Sequence, residues 1–187
     1  MMFRWFTPTS REPSIASLYG TIVAQARNPA FYQAYRVPDT ATGRLEMIML
    51  HAVLVLRRLQ DDTTGGRELG QGLFDRFCRD MDDNMREMGV GDLAVPGKMR
   101  RIGEAFYGRQ AAYGVALDAP DNGPLAAALQ RNVFADGSEP GPACQLAVYV
   151  REAARALAAQ DGFERAQLAF PDPEQVLLCA RGTRIAQ

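Results

Sequence analysis

Thr42-Gly-Arg-Leu45-Glu-Met-Ile-Met-Leu-His51-Ala-Val-Leu-Val-Leu56-Arg-Arg-Leu-Gln60 is the stretch that decides the fold. Leu45, Ile48, Ala52, Val55, Leu56 and Leu59 recur at helical spacing and form one stripe. Met47, Met49, Leu50, Val53 and Leu54 fill the other sides, so the helix is apolar nearly all round. Such a helix belongs at the centre of a bundle, with other helices packed about it. Its apolar run, Met47 to Leu56 broken only by His51, is far shorter than the ~20 residues that cross a bilayer.

The flanking segments supply the neighbours. Ser14 reads as an N-cap for a helix carrying Ile15, Leu18, Ile22 and Val23. Asn28-Pro29 ends it and opens a short helix through Phe31, Tyr32 and Tyr35. Beyond Gly65-Gly66 a helix from about Arg67 to Met88 places Leu73, Phe77, Met81, Met85 and Met88 on one face. Gly89 suits the left-handed position after its end. A loop then reaches Pro96, which opens a helix to about Leu117 carrying Met99, Ile102, Phe106 and Tyr113. A short helix from Pro124 to about Phe134 and an Ala-rich one from Ala143 to Gln160 follow. Gln175 to Ala180 reads as a short strand or an extended tail. The expected fold is an all-α, single-domain helical bundle over residues 14–160. A flexible arm (1–13) precedes it, and a loosely ordered C-terminal extension (161–187) follows.

Bulk properties exclude several classes. The chain has 187 residues, room for one domain whose core needs no disulfide staples. The net charge of -1 provides no global field for nucleic acid, so specific DNA binding is not expected. Every basic residue but Lys98 is arginine, which reads as the codon usage of a GC-rich genome. Cys78, Cys144 and Cys179 are too widely spaced for a zinc site and read as reduced thiols. The first residues, with Trp5 and Phe6, offer at most a membrane-surface contact. The chain reads as cytoplasmic, with peripheral contact at the inner face of the cytoplasmic membrane as an option.

Catalytic templates fail. His51 is the one histidine, and it lies in the most apolar helix, where a core imidazole paired with a carbonyl or side chain is expected. No ligands cluster for a metal, and no cofactor is implied. Asp80-Met-Asp-Asp83-Asn resembles the start of a calcium loop, but Met85 stands where glycine is needed and Gly91 where glutamate is needed. It reads as a solvated helix face with Arg79–Asp83 and Asp82–Arg86 at pairing distance.

One feature runs against stability. Lys98, Arg100 and Arg101 fall in the first turns of the helix that Pro96 opens, where cations oppose the helix dipole by about 0.3–1 kcal/mol each. Two explanations stay open: an acidic partner, such as a protein loop or RNA phosphate, or neutralisation by Glu87, Asp92 or Glu104. Methionines at 47, 49, 81, 85, 88 and 99 suit either a core or an adaptable apolar surface.

Four ordered segments carry a family likeness. They are Leu18-Tyr-Gly20…Asn28-Pro-Ala-Phe-Tyr32; Gly43-Arg-Leu-Glu-Met47…His51…Val55-Leu-Arg-Arg-Leu59; Phe74-Asp…Phe77…Asp80-Met-Asp82…Arg86-Glu-Met-Gly-Val-Gly-Asp-Leu93; and Val95-Pro…Lys98-Met…Glu104-Ala-Phe-Tyr-Gly-Arg109. Together they resemble the ubiquinol–cytochrome c chaperone family, from about Ser17 to Val150. The resemblance implies an all-helical, non-catalytic chaperone that binds newly made cytochrome b and assists assembly of the cytochrome bc1 complex. Mitochondrial relatives work with a small partner protein and associate with the ribosome, so ribosome contact is an option here. This chain looks like a bacterial member.

On that footing Arg86, Glu87, Met88, Asp92, Leu93, Lys98, Arg101 and Tyr107 are the expected client-binding residues. Gly89, Gly91 and Pro96 are expected to shape the loop, and Leu45, Leu56, Phe77 and Phe106 to build the core beneath. Two alternatives remain: a ribosome- or RNA-associated adaptor using the cation cluster, and a helical enzyme acting on a hydrophobic small molecule. The enzyme would show the Asp80–Asp83 carboxylates inside a deep cavity.

Overall fold

The computed structural model describes residues 11–61, 65–134, 139–160 and 168–185, the last five without their side chains. Eight α-helices lie among them: α1 Glu12–Ala26, α2 Pro29–Gln33, α3 Ala41–Gln60, α4 Gly66–Glu87, α5 Val95–Asp118, α6 Gly123–Leu129, α7 Pro140–Ala158 and α8 Pro173–Ile185. No strand occurs among the described residues. A π turn, Gln130–Phe134, continues α6. The all-α expectation is met. Trp5, Phe6 and the Asp161-Gly162 boundary fall outside the described residues.

α3 is the hub, packed against α1, α4, α5 and α7. Every residue from Glu46 to Leu56 is buried, as an all-round apolar helix requires. The Thr40 hydroxyl accepts from Gly43 N–H at 3.1 Å and caps its start. Gly43 is fixed by space: an added Cβ would sit 2.0 Å from the Pro38 carbonyl oxygen. Leu56, Phe77 and Phe106 lie in the core, while Leu45 packs against it half-buried.

Three expectations change. α1 begins at Glu12, with Arg11 at the cap position and no side-chain cap. Pro13 in its first turn sets the helical φ there, so Ser14 is already inside the helix. Arg79 turns to Glu12 at 3.7 Å instead of to Asp83. Residues 175–180 belong to α8, not to a strand or tail. Asp172 Oδ1 accepts from Glu174 N–H at 2.8 Å, Pro173 opens the helix, and Leu177 is buried against the core. The Tyr35 hydroxyl donates to the Pro173 carbonyl at 2.8 Å and ties this end to the body.

His51 sits in the core as expected. Its Nδ1 lies 2.7 Å from the Met47 carbonyl oxygen and its Nε2 3.0 Å from the Tyr149 hydroxyl. Only the Nδ1–H tautomer satisfies both, donating to Met47 and accepting from Tyr149. Gln25 donates to the same hydroxyl at 3.0 Å and to the Pro171 carbonyl at 3.2 Å. The chain of bonds links α1, α3, α7 and the approach to α8. Complete burial holds the imidazole down to a pKa of about 4, against the backbone bond to Met47 that raises it.

Candidate functional site

The turn between α4 and α5 is built by a C-terminal motif. Gly89 takes φ +77°. Val90 N–H reaches the Met85 carbonyl at 3.0 Å and Gly89 N–H reaches Arg86 at 2.9 Å, the paired bonds of a Schellman cap. Gly91 carries no such demand: its φ is not left-handed and an added Cβ would meet nothing within 4 Å. Its carbonyl accepts from Ala94 N–H at 2.8 Å. Pro96 lies in the first turn of α5, beside buried Val95, which anchors the helix start.

This turn stands on the surface. Arg86, Glu87, Met88, Asp92, Leu93, Lys98, Arg101 and Tyr107 are all exposed. Arg86 is committed locally, to Asp82 at 2.6 Å and to Asp92 at 2.5 Å. The first of these hydrogen bonds is the main reason its pKa is raised. Leu93 is 101% exposed and Met88 70%. Met47, Met49 and Met85 are buried, so the methionines divide between core and surface.

The cation cluster is neutralised only at Arg100. Asp92 is held by Arg86. Glu104 approaches Arg100 at 3.7 Å, with both side chains well exposed. No ion pair reaches Lys98 or Arg101 among the described residues. Two positive charges therefore stand in solvent without an ion pair at the positive end of a helix of 24 residues.

Beside Tyr107 a groove of about 680 Å³ opens between the end of α3, the start of α4 and the middle of α5. Leu56, Leu59, Phe74 and Phe106 floor it; Arg67, Gln60, Gln71 and Gln110 rim it. Phe74 meets Phe106 edge-to-face at 5.0 Å and Tyr107 at a tilt at 5.3 Å between centroids, which locks α4 to α5 and leaves Tyr107 as the outer edge. No carboxylate, histidine or cysteine lines this groove. The acidic run of α4 is used elsewhere: Asp80 accepts from the Tyr19 hydroxyl at 2.7 Å and Asp82 from Arg86. Burial first, and then the bond to Asp80, push the Tyr19 phenol upward. No group of residues able to hold a metal ion occurs among those described. No described helix is long and apolar enough to cross a membrane.

The structure also joins two residues not among the expected site residues. Glu46 is buried in α3, and Arg109 of α5 grips both its oxygens. A lone acid on an otherwise apolar helix was the available signal, since a buried carboxylate requires a partner.

Comparison with known proteins gives a consistent picture. Mouse ubiquinol-cytochrome c reductase complex assembly factor 1 is 25% identical over 146 residues, which is 78% of this chain and 49% of that protein. The chain thus spans about half the length of this curated relative. The crystal structure of the Cbp3 homolog from Brucella abortus superposes with a TM-score of 0.81 at 38% identity, covering 88% of this chain and 92% of that one. Residues 33–170 match the family model described as ubiquinol-cytochrome C chaperone, a span that takes in the hub helix, the Schellman turn and the cation cluster. The chain belongs to the ubiquinol–cytochrome c chaperone family.

Proposed function

We propose that this protein is an assembly chaperone for the cytochrome bc1 complex that holds newly made cytochrome b by the surface around the α4–α5 turn. Family membership supports the assembly role, as does the mouse relative named as an assembly factor for ubiquinol-cytochrome c reductase. The observation that carries the client surface is the pairing of exposed Met88, Leu93 and Tyr107 with the unneutralised Lys98 and Arg101. A membrane protein awaiting its cofactors exposes apolar helices and charged connecting loops. A reversible holder needs apolar contacts with a charged rim, and Arg86, Glu87 and Asp92 supply the rest of that rim. Gly89 and Pro96 keep the turn in place. The work is binding, without bond making, in the cytoplasm, where a client being inserted into the membrane is within reach.

A deletion strain tests the role. The expected result is loss of the spectroscopic bc1 signal, with cytochrome b co-purifying on the tagged protein in the complemented strain. Full bc1 content after deletion overturns it. The cation cluster also favours a second reading, ribosome contact through RNA phosphates. That reading predicts ribosome binding that weakens steeply between 50 and 200 mM salt, by about a thousandfold or more where six or more phosphates are contacted.

A further inference from the structure

α5 presents an outer face that the turn surface does not exhaust. Counting about 100° per residue, Arg100, Arg101, Glu104, Tyr107, Gly108, Ala111 and Val115 share about one third of the helix circumference. All seven are exposed. Among the described residues five large hydrophobics stand exposed, and four of them are Met88 and Leu93 in the turn and Tyr107 and Val115 on this face. Val115, at 75%, lies well beyond the turn, and no family segment quoted above includes it.

Two kinds of local cost coincide here. The cations oppose the helix dipole. Gly108 sits in mid-helix, where glycine costs about 0.5–1 kcal/mol against alanine, yet an added Cβ there would meet nothing within 4 Å. Neither choice is explained by packing inside this chain. From these observations we propose that the outer face of α5, from Lys98 to Val115, docks one helix of a partner protein. That helix is apolar over Tyr107, Ala111 and Val115 and acidic where it passes Lys98, Arg100 and Arg101.

The charge distribution selects this occupant. The N-terminal third of the face carries Arg100 and Arg101 against Glu104 alone, and Lys98 adds a third cation nearer the helix start, about 60° beyond the edge of the face. The remainder, Tyr107 to Val115, carries no exposed charge. Nucleic acid would need cations along the whole track, and its phosphates gain nothing from Val115. A helix with one acidic end and one apolar end matches both parts, and Gly108 lets its backbone approach closely. The face rises about 25 Å, which sets the docked length at about 17 residues. This inference extends the proposed client surface along α5 and rests on the proposed function only for what the helix belongs to.

Two fluorescent peptides of about 18 residues test it against the full chain by anisotropy. Both carry leucines at helical spacing in one half. The other half carries glutamates in one peptide and lysines in the other. The glutamate peptide is expected to bind and the lysine peptide not. Val115→Glu and Tyr107→Ser should each weaken binding by about tenfold or more, as loss of an apolar anchor does. The triple reversal Lys98→Glu, Arg100→Glu, Arg101→Glu should exchange the preference, so that the lysine peptide binds. Circular dichroism of each variant confirms the fold. Equal binding of the two peptides, or undiminished binding by Val115→Glu, overturns the proposal. So does a homodimer in light scattering that Val115→Glu dissolves, which assigns the face to a second copy. A 20-nucleotide RNA that binds regardless of Val115→Glu and displaces the glutamate peptide assigns it to nucleic acid instead. The bc1 content of the deletion strain tests the proposed function without reference to α5, so the two failures are distinguishable.

Discussion

Arg109 closes a two-pronged ion pair on Glu46, with Nε 2.9 Å from Oε2 and Nη2 2.6 Å from Oε1. It fastens the middle of α5 to the start of α3. Glu46 is 5% exposed, while the Arg109 side chain keeps 22% of its surface. Breaking a fully buried pair costs about 3–5 kcal/mol, and partial access of Arg109 to water lowers that. Glu46→Ala is expected to lose about 2–3 kcal/mol in urea unfolding. Replacing both partners with leucine should lose less than either single change to alanine. A double variant weaker than both singles would refute this account of the pair.

His51 sets a pH dependence. Its folded pKa of about 4 lies below the ordinary 6.5. As pH falls, the unfolded chain takes up the proton first. The contribution is therefore intact above about pH 6.5 and lost towards pH 4, with a slope approaching about 1.4 kcal/mol per pH unit. Urea midpoints at intervals across that window, for the parent chain and His51→Gln, measure it. The parent should lose stability faster than the variant, and parallel curves would show that His51 does not titrate on unfolding.

Gly43 and Gly108 are expected to respond oppositely to alanine. At Gly43 the new methyl collides with the Pro38 carbonyl, which is backbone and cannot swing aside. Gly43→Ala should lower the thermal midpoint and loosen the start of α3 in hydrogen exchange. At Gly108 the methyl meets open space, and the helix should gain about 0.5–1 kcal/mol.

The triple charge reversal at Lys98, Arg100 and Arg101 should stabilise the isolated protein, since acids suit a helix start by about 0.3–1 kcal/mol each. The same variant should fail to restore bc1 content in a deletion strain. Chemical denaturation and reduced-minus-oxidised haem spectra read the two effects. A variant that is stabilised and also restores bc1 fully would remove the cluster from the client surface.

The sequence made the bundle legible because α3 is apolar all round and Asn28, Gly89 and Pro96 punctuate the chain unambiguously. α8 was missed because Gln175-Val-Leu-Leu-Cys-Ala180 is too short for periodicity to separate strand from helix. Its helical state follows from the Asp172 cap and from Leu177 meeting the core, and the second is a tertiary fact. The exposure of the turn was expected from the family likeness and not from composition, since Met88, Val90, Leu93 and Ala94 are apolar. The groove beside Tyr107 was not expected, because its walls come from three helices and only the fold brings Leu59, Phe74 and Gln110 together. At Gly91 the backbone carbonyl accepts from Ala94 N–H, and no left-handed φ there demands glycine.

α3 has a consequence for biosynthesis. Its residues, 41–60, are made before α5 and α7, two of the helices that cover it, which end at Asp118 and Ala158. Until α7 is made, the nascent chain carries an uncovered greasy rod, the same predicament as the membrane protein proposed as its client. A chain cut short before α7 should aggregate rather than work at reduced strength.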